Sequence, residues 1–366
     1  MVTAEGKGSV GTATPAPRTP EGTSALARRL GLRLADTAAA RVAFLAGSVV
    51  EGLGNATSDV DVYLAGPGWA PERRQLAVDT VRVDVHRLPD DALAAATERV
   101  LSTRPLSDGS VPPVAERDLV LVTRLATAEL LVGEEAVSTV RHRLREGRSR
   151  LRRQVLFAWL TDAHAQHEDF TGLVLEGAMD PALTVGRGTL IAAGKAVAAA
   201  GDDLYLGRKW AWHQLERSAP ARFPRQVFTH LLRADLLGGA PGSSLDDLGN
   251  FTQTCLAAVS TLGWQHVTLE AWPTWLRGNG PLSRAPGFHP RAFDDGVVLT
   301  RPGARRVRLS PEAALVWALC NGSSADAVVA LAGELARTAA VYAGCTEERC
   351  RGIIASLEEA ELVVGS

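Results

Sequence analysis

"FLAGSVVEGLGNATSDVDVYLAG", residues 44–66, runs apolar, breaks at Gly47-Ser48 and passes through a loop of small residues. It then returns as Asp59-Val60-Asp61 at the head of a second apolar run. Side chains two apart on a strand face the same side. Asp59 and Asp61 therefore stand together on a strand that otherwise reads as buried. Two carboxylates a few ångströms apart repel unless something positive sits between them. A third acid, Asp84, lies in "VRVDVHRL", residues 81–88, another alternating apolar run. If the two strands are neighbours, three carboxylates converge on one spot. Such hard oxygen donors suit Mg²⁺, which takes one or two carboxylates and completes its shell with phosphate and water. Two ions about 4 Å apart could clamp the attacking and leaving oxygens of a phosphoryl displacement. Gly47 lets the backbone approach a ligand, and the N–H groups that follow, with the Ser48 hydroxyl, can hold phosphate oxygens.

The flanking segments read as an α/β layer. "SALARRLGLRLADTAAARV" has helical apolar spacing, with Ser24 as its expected N-cap. Short apolar runs at 42–46, 60–64 and 81–88, bounded by Gly, Pro, Asp or Thr, read as strands. "APERRQLAVD", between the last two, reads as a short helix. From about residue 115 helical periodicity dominates, in "AERDLVLVTRLATAELLVG", "LFAWLTDAHAQ" and "LTVGRGTLIAAGKAVAAAG". The basic run "RHRLREGRSRLRRQ" reads as a solvated helix face. "WPTWLRGNGPLSRAPGFHP" reads as a linker. Beyond it come strand-like runs with turns at Asp-Asp-Gly and Arg-Pro-Gly, then three helical stretches. Pro311 suits a first helical turn, and Ser324 or Asp326 a cap.

Gly47-Ser48, ten residues, Asp59-Val-Asp61 in an apolar strand and Asp84 on a later strand together resemble the polymerase-β-type nucleotidyltransferase superfamily. The motifs cover residues 25 to 110. The resemblance implies that Asp59, Asp61 and Asp84 are catalytic metal ligands for two Mg²⁺ ions. It also implies that Gly47 and Ser48 bind the nucleotide, with ATP or another nucleoside triphosphate as co-substrate. "GKAVAAAGDDLYLGRKWAWHQLER" is similar to the helical segment that follows the catalytic domain in small-substrate members, and by that similarity Lys209 reaches the triphosphate. Lys195 and Arg187 are weaker candidates, as is Glu176 as a general base. His86, on the same strand face as Asp84, reads as an ordinary polar residue. His213 and the tryptophans 264, 272 and 275 read as packing.

The last 80 residues resemble PqqD-like winged-helix domains, with Trp317, Asn321-Gly322 and Leu357-Glu358 in the characteristic places. That resemblance implies a precursor or leader peptide added as a strand to the sheet edge. Arg306, Val307 and Arg308 would then form the edge, and Ile353 and Leu357 the groove wall.

The expected fold class is α+β and multidomain. It comprises a disordered tail (1–23), a small α/β catalytic domain (24–114), a helical domain (115–280) and strands plus a three-helix winged-helix-like module (288–366). The chain has 366 residues, a net charge of −2, and 46% hydrophobic and 22% charged residues. Near neutrality argues against a general nucleic-acid or membrane surface. No stretch approaches the roughly 20 apolar residues of a membrane span. Four cysteines, Cys255, Cys320, Cys345 and Cys350, form no C-x-x-C pair, and the expected compartment is the reducing cytoplasm. Cys345 and Cys350 have no nearby partner histidines for zinc. Three functions follow from this reading. One is a nucleotidyltransferase acting on a recruited peptide, and another is a transferase acting on an aminoglycoside-like small molecule. The third is a non-catalytic nucleotide-binding or regulatory protein on the same fold.

Overall fold

The computed structural model describes residues 20–55, 57–78, 81–237, 243–304 and 306–365, and the tail expected over 1–23 lies almost wholly outside them. The architecture is α+β and multidomain, and the chain divides into two compact units. The first comprises residues up to 90 together with 127–136, and the second 91–126 with 137–366.

The first unit is one helix on one sheet. Helix α1 (Pro20–Thr37) precedes strands β1 (Val42–Ala46), β2 (Val60–Gly66), β3 (Glu72–Val78) and β4 (Val81–Pro89). A later return of the chain supplies β5 (Glu129–Val132), giving the order β3-β4-β2-β1-β5. β2 and β4 are parallel, and the other pairs are antiparallel. Alternation sorts the two faces. Val60, Val62 and Leu64 of β2, Val81, Val83 and Val85 of β4, and Ala43 and Leu45 of β1 bury against Ala27, Leu30 and Ala35 of α1. Burying each of the larger of these side chains is worth about 1.5–3 kcal/mol. The intervening residues, Asp61, Tyr63, Asp84 and His86 among them, are thereby fixed on the opposite face. A one-residue slip would exchange the sets.

Three expectations change here. Ser24 does not cap α1, because the helix is already under way from Pro20. "ERRQLAV" is not a helix but strand β3, pairing antiparallel along β4 from Glu72↔Arg87 to Val78↔Val81. Glu, Arg, Gln, Leu and Ala are good helix formers, but the preference amounts to only tenths of a kcal/mol per residue, and a ladder along the edge of a formed sheet outweighs it. An exposed edge strand rich in Arg and Glu also resists pairing with other chains. The end of "ATAELLVG", read as helical, is strand β5.

The second unit is built on helices. They are α2 (Ala92–Ser102), α3 (Glu116–Ala126), α4 (Glu134–Glu146, which starts within the first unit's range), α5 (Arg148–Leu175) and α6 (Met179–Ala200). Shorter helices α7 (Ala211–Ser218), α8 (Arg225–Arg233) and α9 (Ser243–Ala258) follow. α5 and α6 make the most extensive helix pairing. The buried residues of α6 are largely alanine, including Ala192, Ala193 and Ala196. The arginines of "RHRLREGRSRLRRQ" are not simply a solvated face. Arg148 pairs with Asp202 at 3.1 Å, and Arg150 and Arg153 reach the buried Asp294 at 2.7 and 3.4 Å.

The presumed linker contributes β6 (Leu282–Arg284), the centre of a small sheet with β10 (Asn321–Ser323) and β11 (Val363–Val364). β7 (His289–Phe293), β8 (Gly296–Thr300) and β9 (Val307–Leu309) form an antiparallel sheet with β9 at one edge. The three expected helices are α10 (Pro311–Leu319), α11 (Ala325–Thr338) and α12 (Glu347–Glu359). Pro311 sits in the first turn of α10, and the hydroxyl of Ser324 accepts from Ala327 N to cap α11. Thr346 caps α12 in the same way.

Candidate active site

The register of the first sheet gathers the acids. β1 pairs Ala46 with Asp61, β4 pairs Asp84 with Asp61, and β3 pairs Gln75 with Asp84. A row thus runs Gln75, Asp84, Asp61, Ala46 across four strands, and the Gly47-Ser48 turn begins one residue beyond its end. The next row holds Arg73, His86, Tyr63 and Phe44. Its rings stack, Phe44 on Tyr63 at 4.8 Å and Tyr63 on His86 at 4.3 Å between centroids. This ladder is a rigid floor beside the carboxylates.

The Gly-Ser turn is held by its own backbone. Gly47 has φ +91°, a conformation that favours glycine. The Ser48 carbonyl accepts from Leu53 N and Gly54 N at 2.9 and 2.7 Å, which closes one tight turn. Asn55 then ties the approach to β2. Its side-chain oxygen accepts from Thr57 N and from the Ser58 hydroxyl, both at 3.1 Å. The small polar residues of this loop are thus the restraint that delivers Asp59 to the sheet.

Each acid has a cationic or donor neighbour. The Arg82 guanidinium approaches Asp59 at 3.5 Å, and His86 Nε2 lies 3.7 Å from Asp61. Asp84 is the most buried, at 3% side-chain exposure. Arg73 donates to one of its oxygens at 2.8 Å and Gln75 Nε2 to the other at 2.9 Å. Burial works against the charge of Asp84, but the hydrogen bonds from Arg73 and Gln75, with the charge of Arg73, outweigh it and hold the carboxyl below its ordinary range.

In kind, the donor set fits a hard divalent cation, with three carboxylates on one face and two of them register neighbours. It is not closed around one point. Among the described residues no group of three or more His, Cys, Asp or Glu side chains is gathered closely enough to hold a metal. Arg73 and Gln75 each take one lone-pair site on an Asp84 oxygen, which leaves a second site on each oxygen for a metal.

Sequence reasoning missed Arg73, Gln75 and Arg82. The signal was present: once 72–78 is a strand, alternation puts residues 73 and 75 on one face together. Elsewhere, exposed Lys209 extends over the Trp210 ring, with Nζ 5.2 Å from its centroid. Lys195 is buried, and its ammonium binds the Tyr205 and Gly207 carbonyls and the Gln214 side chain. Arg187 donates to the Ala234 carbonyl, Glu176 ends α5, and His213 pairs with Glu216.

In the second unit, Val307 of β9 and Ile353 and Leu357 of α12 line one groove of about 770 Å³, together with Leu309, Ala313 and Leu362. Arg306 precedes β9, and Arg308 pairs with Asp295 at 3.1 Å; neither lines the groove.

Against known proteins, no family model matches the chain and no curated protein does. Among solved structures it is similar to a nucleotidyltransferase-like protein from Exiguobacterium sibiricum. The identity is 10%, over 61% of this chain and 79% of that one, with a TM-score of 0.30. No helix among the described residues is long and apolar enough to cross a membrane.

Proposed function

We propose that this chain is a Mg²⁺-dependent nucleotidyltransferase that moves a nucleoside monophosphate, AMP from ATP, to a peptide acceptor. The observation that supports it best is the register that sets Asp61 beside Asp84 and ends their row at the Gly47-Ser48 turn. Asp59, Asp61 and Asp84 would hold the metal, whose chemistry is to neutralise triphosphate charge and polarise the α-phosphate. The backbone and hydroxyl of Gly47-Ser48 hold phosphate oxygens. Arg73 and Arg82, beside the acids, are positioned to exchange a carboxylate for a phosphate oxygen. The acceptor oxygen or nitrogen forms the new bond to the α-phosphorus. The α–β bridging P–O bond breaks, pyrophosphate leaves, and the acceptor proton passes to water. Most of the acceleration comes from positioning and preorganised charge.

The groove between β9 and α12 favours a peptide over a small acceptor. An edge strand with open main-chain groups beside an apolar helix face suits strand addition. On this reading the sheet of the first unit is catalytic and residues 288–366 recruit the substrate in a ribosomal-peptide type of biosynthesis.

The test is label transfer from [α-³²P]ATP to the acceptor peptide. Asp61→Ala should abolish Mg²⁺-dependent transfer, by at least 1,000-fold, with an unchanged circular dichroism spectrum. Ile353→Asp, on a half-buried groove position, should raise the KM for the peptide at least tenfold and leave kcat intact. Transfer surviving in Asp61→Ala rules the mechanism out. An unchanged KM in Ile353→Asp removes the groove from it.

A further inference from the structure

A second cavity, of about 450 Å³, lies wholly within the helical unit. That is the size range of small-molecule sites. One wall is a stripe of α5, residues Gln154, Phe157, Ala158, Thr161, Asp162 and Ala165. Their spacing of three and four puts them on one helix face. The two alanines leave space where larger residues would fill it. Leu119 and Leu206 close the apolar part.

The polar groups are few and oriented. Gln154 is 2% exposed, and its Nε2 donates to the Thr103 carbonyl at 2.6 Å. What Gln154 can offer a guest is its carbonyl Oε1, an acceptor, beside the second N–H of the same amide. Asp162 is held by Arg208 at 3.1 Å and by Gln166 Nε2 at 3.0 Å. Arg208 also donates to the Gly188 carbonyl at 3.2 Å, and its guanidinium lies over the Trp159 ring. The charged pair is thus mutually neutralised, and an anionic guest finds no free cation in the lining. The walls present aromatic surface, the Gln154 acceptor and two further buried polar atoms without a hydrogen-bond partner among the described residues, Thr161 Oγ1 and Trp159 Nε1, with the exposed Glu116 carboxylate also in the lining.

We propose that this cavity binds a neutral, planar heteroaromatic group carrying an N–H donor, with the donor on Gln154 Oε1 and the ring against Phe157 and Trp159. Two sources share that chemistry: the base of an amino-substituted nucleoside, and an indole side chain of an acceptor peptide. The site deepens the transferase reading only in its choice of probes. Its test uses neither metal nor turnover, so failure here and failure of nucleotide transfer are separate results.

The experiment is isothermal titration of the full chain, without metal, with adenosine, purine riboside and N-acetyltryptophanamide. Saturable binding of adenosine, with purine riboside about tenfold weaker for lack of the amino donor, identifies a nucleoside base. Binding of N-acetyltryptophanamide alone identifies a peptide side chain. In either case Ala165→Trp, a change at an exposed lining position, should weaken binding more than tenfold, and so should Ala158→Leu. Absence of binding by all three probes overturns the proposal. So does equal affinity in both folded variants and the wild type.

Discussion

At the scale of single residues, the carboxylates and the histidines have opposite problems. Asp84 keeps its charge in a buried place because Arg73 and Gln75 hold both of its oxygens. Removing Arg73 leaves a buried, half-supported carboxylate. Arg73→Ala should raise the Asp84 pKa toward or above the ordinary carboxylate value, measurable by carboxyl-carbon NMR titration. An unmoved pKa would show that Arg73 does not hold it. Three histidines are buried without a carboxylate against them strong enough to hold a charge. His164 and His167 of α5 stack on His289 of β7, with ring centroids 5.6 and 5.0 Å from it. Burial pushes all three pKa values down, His167 to about 4. The facing groups are Glu168, which favours protonation of His164 and His167, and Arg291 and Arg306, which oppose protonation in the cluster. The unfolded chain therefore binds protons below about pH 6.5 that the native chain refuses. Stability should be full above that pH and fall as pH drops from about 6.5 toward 4, by about 3 kcal/mol from His167 alone. Urea denaturation at pH 7 and pH 5 measures this. His289→Phe, which keeps the stack, should flatten the slope, and an identical slope would contradict the assignment.

At the scale of elements, legibility followed what is encoded locally. β1, β2, β4, α10 and α11 could be read from alternation, apolar runs and caps, because each carries its own signal. The Gly47-Ser48, Asp59-Val60-Asp61 and Asp84 positions could be read for the same reason. β3 could not: "ERRQLAV" becomes a strand only because the edge of β4 is available. With it went Arg73 and Gln75, the partners of Asp84, whose role exists only in the register. β6 was hidden in the same way by flanking Gly and Pro. There Arg284, fully buried, donates to Gln253 Oε1 (3.0 Å), the Thr254 hydroxyl (2.6 Å), Asn321 Oδ1 (2.8 Å) and the Ala318 carbonyl. One side chain thus ties β6 to α9 and to the end of α10. Burial lowers its pKa to about 10, which still leaves it charged at neutral pH. Arg284→Leu strands several buried acceptors at about 1–3 kcal/mol each. The expected loss is at least 3 kcal/mol in urea denaturation, and a loss under 1 kcal/mol would mean the acceptors find other donors.

At the scale of the molecule, the residues from 288 onward are not a removable appendage. His289 stacks on α5, the Thr300 hydroxyl lies 3.1 Å from His164 Nδ1, and Asp294 collects Arg104, Arg150 and Arg153. Deleting 288–366 exposes this buried surface and should yield an aggregating chain, seen by size-exclusion chromatography. A monomeric, fully helical product would contradict that packing. Point changes in the β9–α12 groove are therefore the proper probe of peptide recruitment.

The claim on which the rest stands is that the acids of β2 and β4 serve a metal-borne triphosphate. Electron paramagnetic resonance of Mn²⁺ with α,β-methylene ATP tests it without needing the acceptor. The wild-type chain should immobilise Mn²⁺ only when the nucleotide is present, and Asp61→Ala should weaken that binding at least tenfold. Free Mn²⁺ in both samples, or equal immobilisation in both, would contradict it.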